Sequence, residues 1–173
     1  RDAAIQYGIP AVDDFNTGDN EGIGYFHVNQ KLGRRWSAAR GFLRPVMGRK
    51  NLRVESGCLA EAVEFDGKRA SGVRWRQNGE ARSASCRGEV ILSAGAIGSP
   101  HLLMLSGVGP AAQLAQHGIT TLLDRPGVGA NLQDHLQLRT IYKVSGVKTL
   151  NAMNATLFGR AGMGLDYFLR RRG

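Results

Sequence analysis

The residues of this chain that could do chemistry are its four histidines, its two cysteines and a set of glycine-rich turns. His27, His101, His117 and His135 each carry a ring able to exchange a proton near neutral pH. A lone histidine is nonetheless more often a packing or surface residue, and no catalytic role is assigned to any of the four. Cys58 and Cys86 lie far apart with no second ligand pair beside either, so they suggest neither a zinc site nor a disulfide and read as reduced core thiols. Gly107-Val108-Gly109 with Ala112, and Gly127-Val128-Gly129, resemble the start of a dinucleotide fingerprint. The first carries Pro110 and follows a helical pattern, and the second follows Pro126 without a strand, turn and helix, so both read as turns. Asn131, Asp134 and His135 cluster beside the second turn, where Asn and Asp side chains commonly cap backbone, and a structural role is favoured there. Asn154-Ala155-Thr156 fits a glycosylation triplet, but nothing else in the sequence indicates secretion. The stretch Ser93-Ala94-Gly95 differs from all of these. It offers almost no side-chain bulk at the end of an apolar run, so a flat ligand could approach the bare backbone there.

The elements that must position these residues are legible from periodicity. Gly24 to Gln30 alternates apolar and polar residues and predicts a short strand. Ser37 is placed to cap a helix running to Leu43, which Pro45 ends. Between Leu52 and Leu92, Asp66-Gly67 and Asn78-Gly79 punctuate strand-like runs, predicting an antiparallel meander. On its first strand Leu59, Val63 and Phe65 share one parity. On its second, Val73 and Trp75 oppose Arg74 and Arg76, so one face is buried and one solvated. Glu89 to Gly95 reads as a strand buried on both faces. Ser99-Pro100 then predicts an N-cap and first turn for a buried helix over His101 to Leu105, which Gly107 stops. Pro110 opens a second helix that Gly118 ends, before a strand at Ile119 to Leu123. Pro126 to Gly129 is a rigid turn and a domain boundary, followed by a strand from Leu136 to Val144 and a helix from about Asn151 to Arg170.

A length of 173 residues at 42% hydrophobic composition suits one domain, or parts of two. The net charge of +9 would raise nucleic acid as a partner, but the arginines are scattered and few aromatic residues stand between them, so no nucleic-acid partner is expected. No apolar run is long enough to span a membrane, and Arg1-Asp2-Ala3 does not open a signal peptide. The chain reads as soluble and cytoplasmic, with membrane association of a longer parent left open. It does not start with Met and opens in loop-like sequence, which suggests truncation.

Gly95-Ala96-Ile97-Gly98-Ser99-Pro100-His101-Leu102-Leu103-Met104-Leu105-Ser106-Gly107-Val108-Gly109 resembles the second signature of the glucose-methanol-choline (GMC) oxidoreductase family. Three further stretches are similar to that family's choline dehydrogenase branch. They are Gly33-Arg34-Arg35-Trp36-Ser37-Ala38-Ala39 with Pro45 downstream, Asn51-Leu52-Arg53-Val54, and Pro126-Gly127-Val128-Gly129-Ala130-Asn131-Leu132-Gln133-Asp134-His135.

The resemblance implies an α/β mixture: part of an FAD-binding Rossmann-like domain with an antiparallel meander, plus the start of a substrate-binding domain. Residues 1–50 would be a connecting, substrate-side segment, 51–133 part of the FAD domain, and 134–173 the start of the substrate domain. The implied cofactor is FAD. The implied reaction is oxidation of a primary alcohol, choline-like or aliphatic, to the aldehyde, with the electron acceptor unassigned. By the same resemblance Ala60 meets the flavin's adenine through its backbone, and Ala94 and Gly95 form the slim ledge beside the cofactor. The family's FAD fingerprint and its His-Pro motif lie outside this sequence, and none of the four histidines precedes proline. The chain is therefore expected to be inactive alone. The competing reading is a stand-alone basic binding module without catalysis.

Overall fold

The computed structural model describes residues 1–171. In chain order the elements are α1 (Asp2–Gln6), β1 (Gln30–Lys31), β2 (Arg34–Arg35), β3 (Cys58–Asp66), β4 (Arg69–Gln77), β5 (Glu80–Ser85), α2 (Gly95–Leu105), β6 (Val108–Gly109), α3 (Ala111–Gln116), β7 (Leu123–Asp124), α4 (Leu150–Asn154) and α5 (Leu157–Arg170). A π-helical turn at Ala39–Leu43 runs into a 3-10 turn at Arg44–Val46. The mixed α/β class is as expected. The chain divides into two compact units, one of Arg1–Arg53 with the described part of Tyr142–Gly173, the other of Val54–Ile141.

The second unit is built on the meander, a sheet of order β3-β4-β5. Both turns form where Gly was expected to allow them, with one refinement. Asn78 and Gly79 both take positive φ, 52° and 84°, as a type I′ turn demands. Asp66, however, stays in β3, and Gly67 (φ 58°) with Lys68 makes the first turn. The predicted parity fails on β3. The register slips between Ala60 and Ala62, leaving Glu61 as an extra residue, so Ala62 and Val63 are both buried while Leu59 is 67% exposed. On β4 the expected alternation holds, with Val73 and Trp75 half-buried between exposed Arg74 and Arg76.

The apolar run expected to be a strand at Glu89–Gly95 is not one. No described strand pairs with it, and Ile91 is 76% exposed. A parallel strand depends on neighbours supplied from distant sequence, and its composition alone cannot form a ladder. The helix after it starts at Gly95 rather than at a Ser99 cap. Ser99 lies inside α2 and its Oγ instead accepts from the Ala94 amide at 3.0 Å. Because Gly95 sits at φ 82°, outside helical angles, Pro100 falls near the end of the first true turn and forgoes little more than the bond to the Ala96 carbonyl. Only Leu102 of α2 is buried, so the expected all-round burial of His101–Leu105 is also corrected.

Beyond α2, β6 and β7 pair in parallel around α3, whose Leu114 is 1% exposed. The strand expected at Ile119–Leu123 shrinks to this pair. Asp124 Oδ1 accepts from the Ala111 amide at 3.0 Å and so caps α3 from across the pair. Pro126–Gly129 is a turn, as predicted. Leu136–Val144 forms no strand, and Leu136 is 102% exposed. Alternating apolar residues there have nothing to pair with.

In the first unit the predicted strand at Gly24–Gln30 is reduced to its last residue, paired in the β1-β2 hairpin across Leu32 and Gly33 (φ 52° and 68°). Ser37 Oγ accepts from the Arg40 amide at 3.3 Å, as its predicted capping role requires. The single long helix expected near the end is two. Thr149 caps α4 and Thr156 starts α5 afresh by accepting from the Gly159 amide at 3.1 Å. Tyr167 donates its hydroxyl proton to the Gly33 carbonyl at 2.9 Å, tying α5 to the hairpin.

The core is small: Ala62, Val63, Leu102, Val108 and Leu114 are its buried hydrophobic residues. The accessible surface is 15088 Å². Two separate folded units of half this mass would together expose about 10,000 Å². Many large apolar side chains are among the exposed groups, Leu136, Leu138 and Ile141 at 90% or more. No described helix is long and apolar enough to cross a membrane.

Candidate functional site

Strand β3 lies at the edge of its sheet, and its first residues flank α2 to form a cleft of about 790 Å³. One wall is Ala60 and Glu61 of β3 with Arg74 of β4, and the other is Ala94, Gly98 and His101. Ala60, Ala94 and Gly98 add little bulk to a lining that also includes Leu59, Leu102 and Leu105. Gly95 does not line this cleft but adjoins it. A Cβ placed on Gly95 would meet nothing within 4 Å, so none of the chain's own side chains fills the space beside that residue. Here the glycine is required by its positive φ and not by crowding. Ala60, Ala94 and Gly95 are all exposed.

The two walls are held together by Ser106. Its Oγ donates to the Leu102 carbonyl at 2.6 Å and accepts the Val63 amide at 2.8 Å. Val63 thus points its N–H off the sheet's free edge toward α2. Glu61 and Ala62 both stand opposite Arg74 at the bulge, so Val63 and Ala60, the residues flanking that pair, share the outward phase. Ala60 therefore presents one donor and one acceptor toward the cleft.

The charged groups of the cleft belong to one cluster. Arg76 Nε donates to Glu61 Oε1 at 2.9 Å, and Arg74 Nε stands 3.8 Å from Oε2. Arg76 also donates to the Gly79 carbonyl at 3.0 Å, which anchors it to the second turn. Sequence reasoning missed Glu61 and Ser106. Alternating Arg74 and Arg76 on a solvated face was a signal for a facing carboxylate, but the bulge that brings Glu61 there leaves no mark in composition.

The remaining candidates do not assemble into a second centre. His101 lines the cleft and also, with His117, a mainly apolar hollow of about 390 Å³. His27 Nε2 lies 3.3 Å from the Asp13 carbonyl in the other unit. The His135 amide donates to Asp134 Oδ1 at 2.8 Å, and Asn131 takes a left-handed turn conformation (φ 56°). Cys58 is exposed rather than in the core, and Cys86 is half-buried, its thiol 3.6 Å from the Ala70 carbonyl. Among the described residues no group of three or more His, Cys, Asp or Glu could hold a metal ion.

Comparison with known proteins shows which family the chain resembles. The sequence pattern of the family described as GMC oxidoreductase matches residues 1–137. Oxygen-dependent choline dehydrogenase of Brucella ovis is 41% identical over 172 residues, covering 99% of this chain and 31% of that protein. Mitochondrial choline dehydrogenase of Homo sapiens is 46% identical over 137 residues, covering 79% of this chain and 23% of that protein. Among solved structures, an FAD-dependent oxidoreductase from Chaetomium thermophilum matches with a TM-score of 0.83 at 26% identity, covering 99% of this chain and 31% of that one. The chain thus spans about a third of the length of the first of these relatives.

Proposed function

The chain belongs to the GMC oxidoreductase family, and on that premise we propose that it forms the adenine-facing wall of the FAD site in an enzyme that oxidises a primary alcohol to its aldehyde. The observation that carries this reading is that Ala60 and Ala94, far apart in sequence, line one cleft. The residues fit the group. Ala60 offers an outward backbone donor and acceptor, which suits an adenine edge, and Ala94 with Gly95 leaves the opposite ledge free of bulk. FAD, when bound, supplies the acceptor for hydride from the alcohol carbon. This chain's part is to orient the adenine end and to exclude water from it. Choline or an aliphatic alcohol is the proposed substrate, by likeness to the choline dehydrogenases. Residues 51–133 are proposed as its share of the FAD domain, with 134–173 opening the substrate domain.

Catalysis needs more than these residues. None of the four histidines precedes proline, and the sequence holds no complete dinucleotide fingerprint to receive the pyrophosphate on a helix N-terminus. The chain alone is therefore proposed to bind FAD weakly and to turn over no alcohol. The test is flavin absorbance of a purified full-length protein carrying this segment, beside the chain alone, each after FAD is added and free FAD removed. The full-length protein should be yellow and the chain colourless. A full-length protein that stays colourless would overturn the reading.

A further inference from the structure

We propose that Glu61 is a positioning residue for the adenine, acting through Ala60. This rests on the functional reading above. The β3 ladder pairs Ala60 with Trp75 and Ala62 with Arg74, so Glu61 is the inserted residue of the bulge. A bulge sets which backbone groups face the sheet and which face away, and a shift of one residue reverses them. Were the insertion to migrate to Ala60, that residue's N–H would turn toward β4 and the cleft would lose its donor.

Glu61 is placed to prevent that migration. Its carboxylate spans two arginines of β4, at 2.9 Å from Arg76 and 3.8 Å from Arg74. In the ladder those arginines stand opposite Leu59 and Ala62, on either side of the slip, so one side chain bridges it. The anchor is firm on the far side, since Arg76 is also bonded to the Gly79 carbonyl. The Glu61 side chain is 27% exposed and that of Arg76 49%, so the pair is worth little as global stability. Its effect is on register, which selects the hydrogen-bonding face of Ala60.

Binding of two dinucleotides by the full-length protein tests this: FAD, and its analogue with hypoxanthine in place of adenine, which exchanges the amine donor at C6 for a carbonyl acceptor and the N1 acceptor for a donor. A loss of general stability weakens both alike, whereas a turned Ala60 weakens FAD selectively. Glu61→Ala should lower FAD affinity about fivefold, the ceiling for an exposed ion pair, and narrow the preference for FAD over the analogue. The charge-swapped pair Glu61→Arg with Arg76→Glu should recover that preference, and Glu61→Arg alone should not. A wild type that binds FAD while Glu61→Ala keeps the full preference overturns the positioning role alone. A wild type that binds neither dinucleotide overturns the functional reading, and this proposal with it.

Discussion

Ser106→Ala removes the hydroxyl that ties α2 to the edge of the meander. The Leu102 carbonyl loses a partner at 2.6 Å but keeps the Ser106 amide at 3.1 Å, so its loss is small. The Val63 amide loses its 2.8 Å acceptor and is left facing a half-buried gap. A stranded buried donor costs about 1–3 kcal/mol, and partial access to water puts this one at about 1.5 kcal/mol. That corresponds to roughly tenfold more frequent opening of the Val63 amide. Hydrogen exchange of the Cys58–Asp66 strand in the full-length protein measures it, with urea unfolding giving the global value. Ser106→Thr, which keeps the hydroxyl, should stay near wild type. Val63 exchange in Ser106→Ala within twofold of wild type would refute the claim that this bond clamps the two walls.

Three other outcomes follow from local geometry. Gly107→Ala places a Cβ 2.7 Å from the Thr120 carbonyl oxygen at φ 85°, whereas Gly118→Ala at φ 68° meets nothing within 4 Å. The first should cost more than about 2 kcal/mol and the second about 1, a difference that thermal unfolding would resolve. Thr156→Ala removes the cap on the Gly159 amide and should destabilise α5 by about 1 kcal/mol, seen as lost helicity in circular dichroism, while Thr156→Ser should retain most of it. Asp14 should titrate below the usual carboxylate range, because the Asn16 backbone amide, then the Asn16 side chain, and a weak pull from His27 favour its charged form. Its folded pKa is depressed, so the local turn is favoured above the ordinary carboxylate range and weakens as pH falls through the lowered value. A carboxyl-carbon NMR titration placing Asp14 at or above the ordinary range would contradict this.

What the sequence made legible was local. Asn78-Gly79 predicted its turn because both residues tolerate the left-handed angles that a two-residue hairpin needs, and the meander followed from it. Pro110 and Gly118 bounded α3 for equally local reasons. The strands at Val90 and Leu136 failed because a ladder needs a partner, and composition does not say whether one is present. The single helix predicted to Arg170 broke because Thr156 caps more favourably than it continues a helix. Ala60 came from family likeness, since a backbone contact leaves no side-chain signature, whereas Ala94 and Gly95 were marked by their lack of bulk at the end of an apolar run. The bulge at Glu61 was invisible for the same reason: alternation of apolar residues fixes parity only while the register is unbroken.

The central claim is that the cleft between Ala60 and Ala94 receives the adenine of FAD. An FAD analogue with a photoreactive azide on its adenine, bound to the full-length protein, illuminated and mapped by peptide mass spectrometry, tests it most directly. Adducts should fall within Cys58–Glu61 and Ala94–Leu105, and unmodified FAD should compete them away. Competable adducts confined to any other segment would contradict the account.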